Sequence, residues 1–286
     1  MMRDFADDEP DCPALPDWVV DLEARCETPV TRAEGVSLQW HILGEGRPLV
    51  LLHGGHGSWL HWVRNMGPLS DHFRVMAVDL PAFGDSDIYE TEDLHSYAGL
   101  VARGVAELAP GQEISAAGFS FGSVIGSLMV GQVEAGARAF AMLGSPMLGP
   151  THPVTERLKK WRGMPVPHHR AAAHATNVGE LMLTGPDSVT DEATAIQMAH
   201  AEKARGRYRG LFRKLDVPSE LAAWPGELTV IYGDSDALTC RHLDERRETV
   251  ARIKPEAQFH VIPGAGHWVQ YQAHEAVNAL LLDRLS

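Results

Sequence analysis

Short apolar runs separated by segments of helical period set the pattern of this chain from about residue 36 onward. Val36 to Leu43 alternates moderately between apolar and polar positions, whereas Pro48 to Leu52 and Phe73 to Val78 are almost continuously apolar. Ile114 to Phe119 and Ala139 to Leu143 have the same character, and Glu227 to Tyr232 and Gln258 to Ile262 resume it near the end. Runs this short, stopped by Gly, Asp or Ser, predict strands buried on both faces, as in a parallel sheet. Leu94 to Leu108 and Phe121 to Val133 carry helical spacing, and Val277, Leu281 and Leu285, joined by Leu280, mark a last helix. Strands alternating with helices predict βαβ units, hence an α/β protein with a mostly parallel, doubly wound sheet.

The alternation breaks between about Pro146 and Trp224, where no core strand is apparent and His, Arg and Ala accumulate. A stretch of roughly 70 residues is too long for a plain loop and predicts a helical insertion. The expected organisation is an N-terminal arm over 1–30, a core from 31–146 and 221–286, and the insertion over 147–220. The arm is acidic and holds Pro10, Pro13 and Pro16, which suits either loose structure or a short lead-in helix.

Composition narrows the class. With 44% hydrophobic and 22% charged residues in 286, the chain can build one large globular core. A formal net charge of −13 disfavours nucleic acid and anionic membrane surfaces as partners. No apolar run nears the length needed to span a bilayer. The N-terminus shows no apolar leader. Cys12, Cys26 and Cys240 are odd in number and lack metal-type spacing, which suits a reducing, cytoplasmic setting. A small-molecule substrate is the expected partner, and a homo-oligomer stays open.

The sharpest chemical signal is Gly118-Phe119-Ser120-Phe121-Gly122, placed between an apolar strand and a small-residue helix. Flanking glycines let a strand turn sharply into a helix, which presents the serine in a strained backbone. The helix N-terminus then offers N–H groups to a developing oxyanion. Serine needs a base, and His267 in Pro263-Gly-Ala-Gly-His-Trp268 follows the last strand on a flexible loop. The imidazole needs an orienting carboxylate. Asp236 and Asp234 both follow the strand ending at Tyr232, and Asp236 is preferred because two residues separate it from Gly233. The order Ser, Asp, His results.

The segment His53-Gly54-Gly55-His56-Gly57 also follows a core strand. Gly55 N–H is the expected second oxyanion donor beside that of Phe121, with His56 a substrate-binding candidate. A phosphate loop would want Lys-Ser or Lys-Thr after the glycines, where Ser58-Trp59 stands. His168, His169 and His174 fit no defensible metal spacing, so no metal or cofactor is expected. His72, His95 and His242 read as surface groups, and Asp79 to Asp87 as a turn without chemistry.

HGG, DLPAFGDSD, GFSFG, GDSD and GHW, in that order from about residue 35, together resemble the α/β-hydrolase superfamily. The resemblance implies a hydrolase whose insertion caps the active site. A narrower resemblance is to the meta-cleavage-product hydrolases, which cut a carbon–carbon bond in vinylogous 1,5-diketone acids. Gly266 to Tyr271 is similar to their His–Trp segment, implicating Trp268 in substrate binding, and Ala204 to Arg209 resembles an arginine-rich cap helix. That resemblance implies that one of Arg205, Arg207 or Arg209 holds a substrate carboxylate; a solvated helix face would look the same. Where that group commonly has Ser-Met-Gly-Gly, this chain has Ser120-Phe121-Gly122-Ser123, and Phe121 would narrow the acyl side of the pocket. Ester hydrolysis therefore stays open beside carbon–carbon cleavage. A non-catalytic ligand-binding protein and a cofactor-free haloperoxidase or acyltransferase are the alternatives.

Overall fold

The computed structural model describes residues 13–91, 93–154, 156–206 and 208–286. Its strands are β1 (Val30–Ala33), β2 (Val36–Leu43), β3 (Arg47–Leu52), β4 (Phe73–Val78), β5 (Ile114–Phe119), β6 (Ala137–Leu143), β7 (Glu227–Gly233) and β8 (Gln258–Ile262). They form one sheet in the order β1-β2-β4-β3-β5-β6-β7-β8. Only the pairings at β1–β2 and β2–β4 are antiparallel; every pairing from β4 through β8 is parallel. The antiparallel β1 is an edge strand too short and too polar, with Thr31 inward and Arg32 outward, to have a readable hydrophobic pattern.

The helices are α1 (Asp17–Arg25), α2 (Val63–Ser70), α3 (Leu94–Leu108), α4 (Phe121–Met129), α5 (Pro167–Asn177), α6 (Asp191–Ala201), α7 (Val217–Ala223), α8 (Leu243–Ile253), α9 (Val269–Gln272) and α10 (His274–Leu285). Because side chains alternate across a strand, each central strand feeds two cores. Val50, Leu52, Met76 and Val78 face α3 and α4, while Leu49, Leu51, Val75 and Ala77 face α1, α2 and α10. Each Val, Leu or Met among these contributes about 1.5–3 kcal/mol by burial, so a charge at Leu51 would break both packing and sheet. Burial on both faces is why these strands read as continuous apolar runs. The helix expected to reach Val133 ends at Met129, just before Gly131.

Residues 17–25 form a helix docked on the core through Val19 and Leu22, the lead-in helix of the two readings offered for this stretch. The insertion closes before α7, whose Val217 and Leu221 are fully buried in the core shared with α4. What remains of the insertion is α5, a π-helical turn at Val178–Met182, α6 and a short 3-10 segment at Arg209–Lys214. The insertion is pinned to the body through Glu192 on α6. Its carboxylate accepts from the Arg64 guanidinium at 2.6 Å, the Tyr271 hydroxyl at 2.8 Å and the Trp18 indole at 3.0 Å. Among the described residues no helix is long and apolar enough to cross a membrane.

Candidate active site

The carboxyl ends of β3, β5, β7 and β8 converge beneath the insertion, where ligands sit in open parallel sheets. Ser120 follows β5 directly, with φ 50° and ψ −111°, a backbone region costly for any residue with a Cβ. Close packing enforces the turn: a Cβ on Gly122 would lie 2.2 Å from the Leu52 carbonyl of β3. Ser120 donates its own N–H to Leu143 at 2.8 Å, and the next N–H, that of Phe121, opens α4, where the first-turn N–H groups have no partner within the helix.

His267 stands over this elbow. Its Nε2 lies 3.0 Å from Ser120 Oγ and its Nδ1 lies 2.8 Å from Asp236 Oδ2. An ionised carboxylate can only accept, so Nδ1 carries the proton and Nε2 is left to accept from the serine hydroxyl. Asp236 is fully buried, and its Oδ1 accepts the Leu238 N–H at 2.8 Å. Burial alone would raise its pKa. The facing imidazole and the bonds from His267 and Leu238 outweigh that and hold it below the ordinary carboxylate range. Asp234 turns the other way and accepts the Gly264 N–H at 2.9 Å.

Beside Ser120 opens a cavity of about 880 Å³ between sheet and insertion. Gly55, His56, Phe121 and His267 line it with the serine. Its floor is aromatic: Phe121 is stacked with Tyr208 at 6.1 Å and with Phe212 at 5.8 Å, and Phe83 closes the corner. Lys159, Lys160 and Arg162 also line the cavity, and among the described residues no carboxylate does. The Arg162 guanidinium rests over Trp161 at 4.5 Å and donates to the Ala201 and Ala204 carbonyls, and among the described residues no carboxylate pairs with it.

Several expected site residues lie elsewhere. Arg205 does not reach the cavity: its N–H goes to Ala82 at 2.8 Å and its guanidinium to the Ser86 carbonyl, while Gly206 and Tyr208 beside it do line the space. Arg207 and the Arg209 side chain, like Cys12, lie outside the described residues. Trp268 is fully buried behind His267, stacked on Tyr271 at 4.1 Å, with its indole N–H on the His61 carbonyl. It is not among the residues that line the cavity.

The lining cations went unread in the sequence, although Lys159-Lys160-Trp161-Arg162 is a cationic run in an acidic chain. Buried imidazoles went unread as well. His53 accepts the Leu80 N–H at Nε2 and donates from Nδ1 to the Gly54 carbonyl at 2.7 Å, and burial holds its pKa down to about 4. Asp79 accepts the Trp59 and Asp85 N–H groups and organises the 79–87 turn. Among the described residues no cluster of three or more metal-ligating side chains forms.

The sequence model of the "Alpha/beta hydrolase family" matches residues 49–280. The chain is 26% identical over 272 residues to a 2-hydroxy-6-oxo-6-phenylhexa-2,4-dienoate hydrolase of Burkholderia cepacia, covering 85% of this chain and 89% of that one. It is 29% identical over 271 residues to a 2-hydroxy-6-oxononadienedioate/2-hydroxy-6-oxononatrienedioate hydrolase of Comamonas testosteroni, again covering 85% and 89%. Among solved structures, an esterase from Rhodococcus sp. ECU1013 superposes with a TM-score of 0.75 at 18% identity, covering 91% of this chain and 98% of that one. A meta-cleavage product hydrolase from Pseudomonas fluorescens IP01 superposes with a TM-score of 0.69 at 22% identity, covering 89% and 96%.

Proposed function

Since the chain belongs to the alpha/beta hydrolase family, we propose that it is a serine hydrolase of carboxylic esters that works through an acyl-enzyme on Ser120. The observation that carries the reading is the unbroken chain from Ser120 Oγ to His267 Nε2 at 3.0 Å and from His267 Nδ1 to buried Asp236 at 2.8 Å. His267 takes the hydroxyl proton as Oγ attacks the carbonyl carbon. The N–H groups of Gly55 and Phe121 hold the oxyanion, each such donor being worth about 10²–10³ in kcat. Collapse expels the alkoxide, protonated by the imidazolium; a water deprotonated by the same base then attacks the acyl carbonyl, and Ser120 Oγ leaves with that proton as the acid is freed.

The aromatic rings suit an apolar or aryl group on the substrate, and the lining cations Lys159, Lys160 and Arg162 suit an anionic group elsewhere on it. Those same cations favour a second reading: carbon–carbon hydrolysis of a ring-fission dienone acid, the substrate type of the named relatives. The Ser120, Gly55 and His267 roles would be unchanged, with a stabilised carbanion leaving instead of an alkoxide.

The test is a panel of aryl esters and ring-fission dienones, run on wild type and Ser120→Ala, with fluorophosphonate labelling. Ester turnover abolished by Ser120→Ala and an adduct on Ser120 support the primary reading. Turnover confined to dienones establishes the second. No adduct and no turnover would favour a ligand-binding protein, and transfer to added alcohols over water would favour an acyltransferase.

A further inference from the structure

Beneath the loop that follows β3 lies an imidazole that the proposed reaction does not use. His61 is only 1% exposed, and its Nδ1 accepts the Gly54 N–H at 3.0 Å. A ring nitrogen that accepts is unprotonated, so this ring is neutral with its proton on Nε2. Burial first, then the neighbouring imidazoles, push its pKa well below the ordinary value.

The peptide planes on either side of Gly54 are both fixed, and His61 holds the one on which the other turns. The first is held through its N–H by His61. The second is held through the Gly54 carbonyl, which accepts from His53 Nδ1 at 2.7 Å and from the Gly57 N–H at 3.1 Å. In a trans peptide the N–H points opposite to the carbonyl, so anchoring the Gly54 oxygen inward turns the Gly55 N–H outward, and Gly55 lines the cavity with Ser120.

The loop's glycines fit this role. A Cβ on Gly57 would lie 2.2 Å from His61 Cε1, and one on Gly54 would lie 3.3 Å from the same atom and 2.8 Å from the Phe119 ring. These two glycines are the space the imidazole occupies. Its cage comes from the elements that carry the site: Phe119 at 5.2 Å precedes Ser120, Trp268 at 5.1 Å follows His267, and His200 at 4.4 Å belongs to α6 of the insertion.

We propose that His61 is a positioning residue for the oxyanion hole, its Nδ1 holding Gly54 N–H so that the Gly55 N–H faces the substrate oxygen. The proposal rests on the Ser120 reading. His61→Phe fills the ring volume without an acceptor, and His61→Asn places an acceptor oxygen near the position of Nδ1. His61→Phe is expected to lower kcat about 10- to 100-fold with KM changed less than about 3-fold. It should weaken an aryl trifluoromethyl ketone, whose hemiketal oxyanion probes the hole, by a similar factor. His61→Asn should recover most of both losses.

Gly57→Ala, which displaces the ring, should reproduce the kcat loss and add less than about 2-fold on a His61→Ala background. It serves if His61→Phe does not fold. Wild-type kcat and ketone affinity in folded His61→Phe, or in Gly57→Ala when the former does not fold, overturns the proposal. An Asn variant no better than Phe does the same. Ser120→Ala run alongside keeps its activity only if the nucleophile itself is misassigned, whatever the His61 variants show.

Discussion

Asp236 Oδ2 lies 2.8 Å from His267 Nδ1 in a fully buried contact, while Asp234, two residues earlier, is exposed and bonded to the Gly264 N–H. The two acids of one turn thus face opposite sides of it. Asp236→Asn would present an amide to the imidazole, favour the wrong tautomer and lower kcat by about 10⁴. Asp234→Asn changes only a surface turn and should leave kcat within about 3-fold. Initial-rate kinetics on an aryl ester separates the two, and equal losses in both variants would refute the assignment.

That contrast marks how far the residues alone carry. The strands were legible because burial on both faces makes Pro48 to Leu52 or Phe73 to Val78 apolar at every position. The turns that carry Ser120 and His267 were legible because tight turns need glycines, and glycines leave a motif. The choice between Asp234 and Asp236 depends on the path of the Gly233 turn against Gly264 and Ala265, which is tertiary. The placement of Arg205 outside the cavity has the same kind of cause: one residue of chain direction sends it to the Ser86 carbonyl and turns Gly206 inward. His61 left no trace, since a buried neutral imidazole is recognisable only by what packs around it.

The three cations that line the cavity predict a selective effect on KM. Replacing Lys159, Lys160 or Arg162 by Ala should raise KM for substrates that carry a carboxylate away from the scissile carbonyl. Neutral esters should be little affected. Arg162→Ala should act most, because it also removes the stacking on Trp161. Arg205→Ala, outside the cavity, should leave both substrate types alike. KM unchanged for anionic substrates in all three cavity variants would show that these cations do not contact substrate.

Phe121 contributes its N–H to the proposed oxyanion hole and its ring to the cavity floor, and these roles separate by substitution. Phe121→Ala keeps the N–H while removing a ring stacked on Tyr208 and Phe212. Activity on long-chain and branched acyl esters should rise relative to acetyl esters, with activity on the shortest retained within about 10-fold. A uniform loss across chain lengths would mean that the ring positions the N–H and does not limit the pocket.

Stability should fall steeply in acid, through histidines rather than carboxylates. Burial holds His41, His53 and His174 down to about 4, and His61 and His200 well below the ordinary value. In the unfolded chain each titrates near 6.5. Between those values the unfolded chain binds protons that the native state refuses, so this stability is fully present above about pH 6.5 and is lost as pH falls towards 4. Each histidine adds a slope of up to about 1.4 kcal/mol per pH unit over that range. Asp79 acts with the opposite sign. Burial raises it to about 6 from 3.8, so the native state takes up its proton first and gains stability as pH falls through that window. One carboxyl offsets one histidine and leaves the others unopposed. Urea-unfolding midpoints measured from pH 8 to 4.5 should therefore decline below about 6.5. His200→Leu replaces a fully buried ring whose two nitrogens have no bonding partner among the described residues, and it should flatten that decline. A midpoint constant down to pH 4.5 would show that these imidazoles are hydrated in solution.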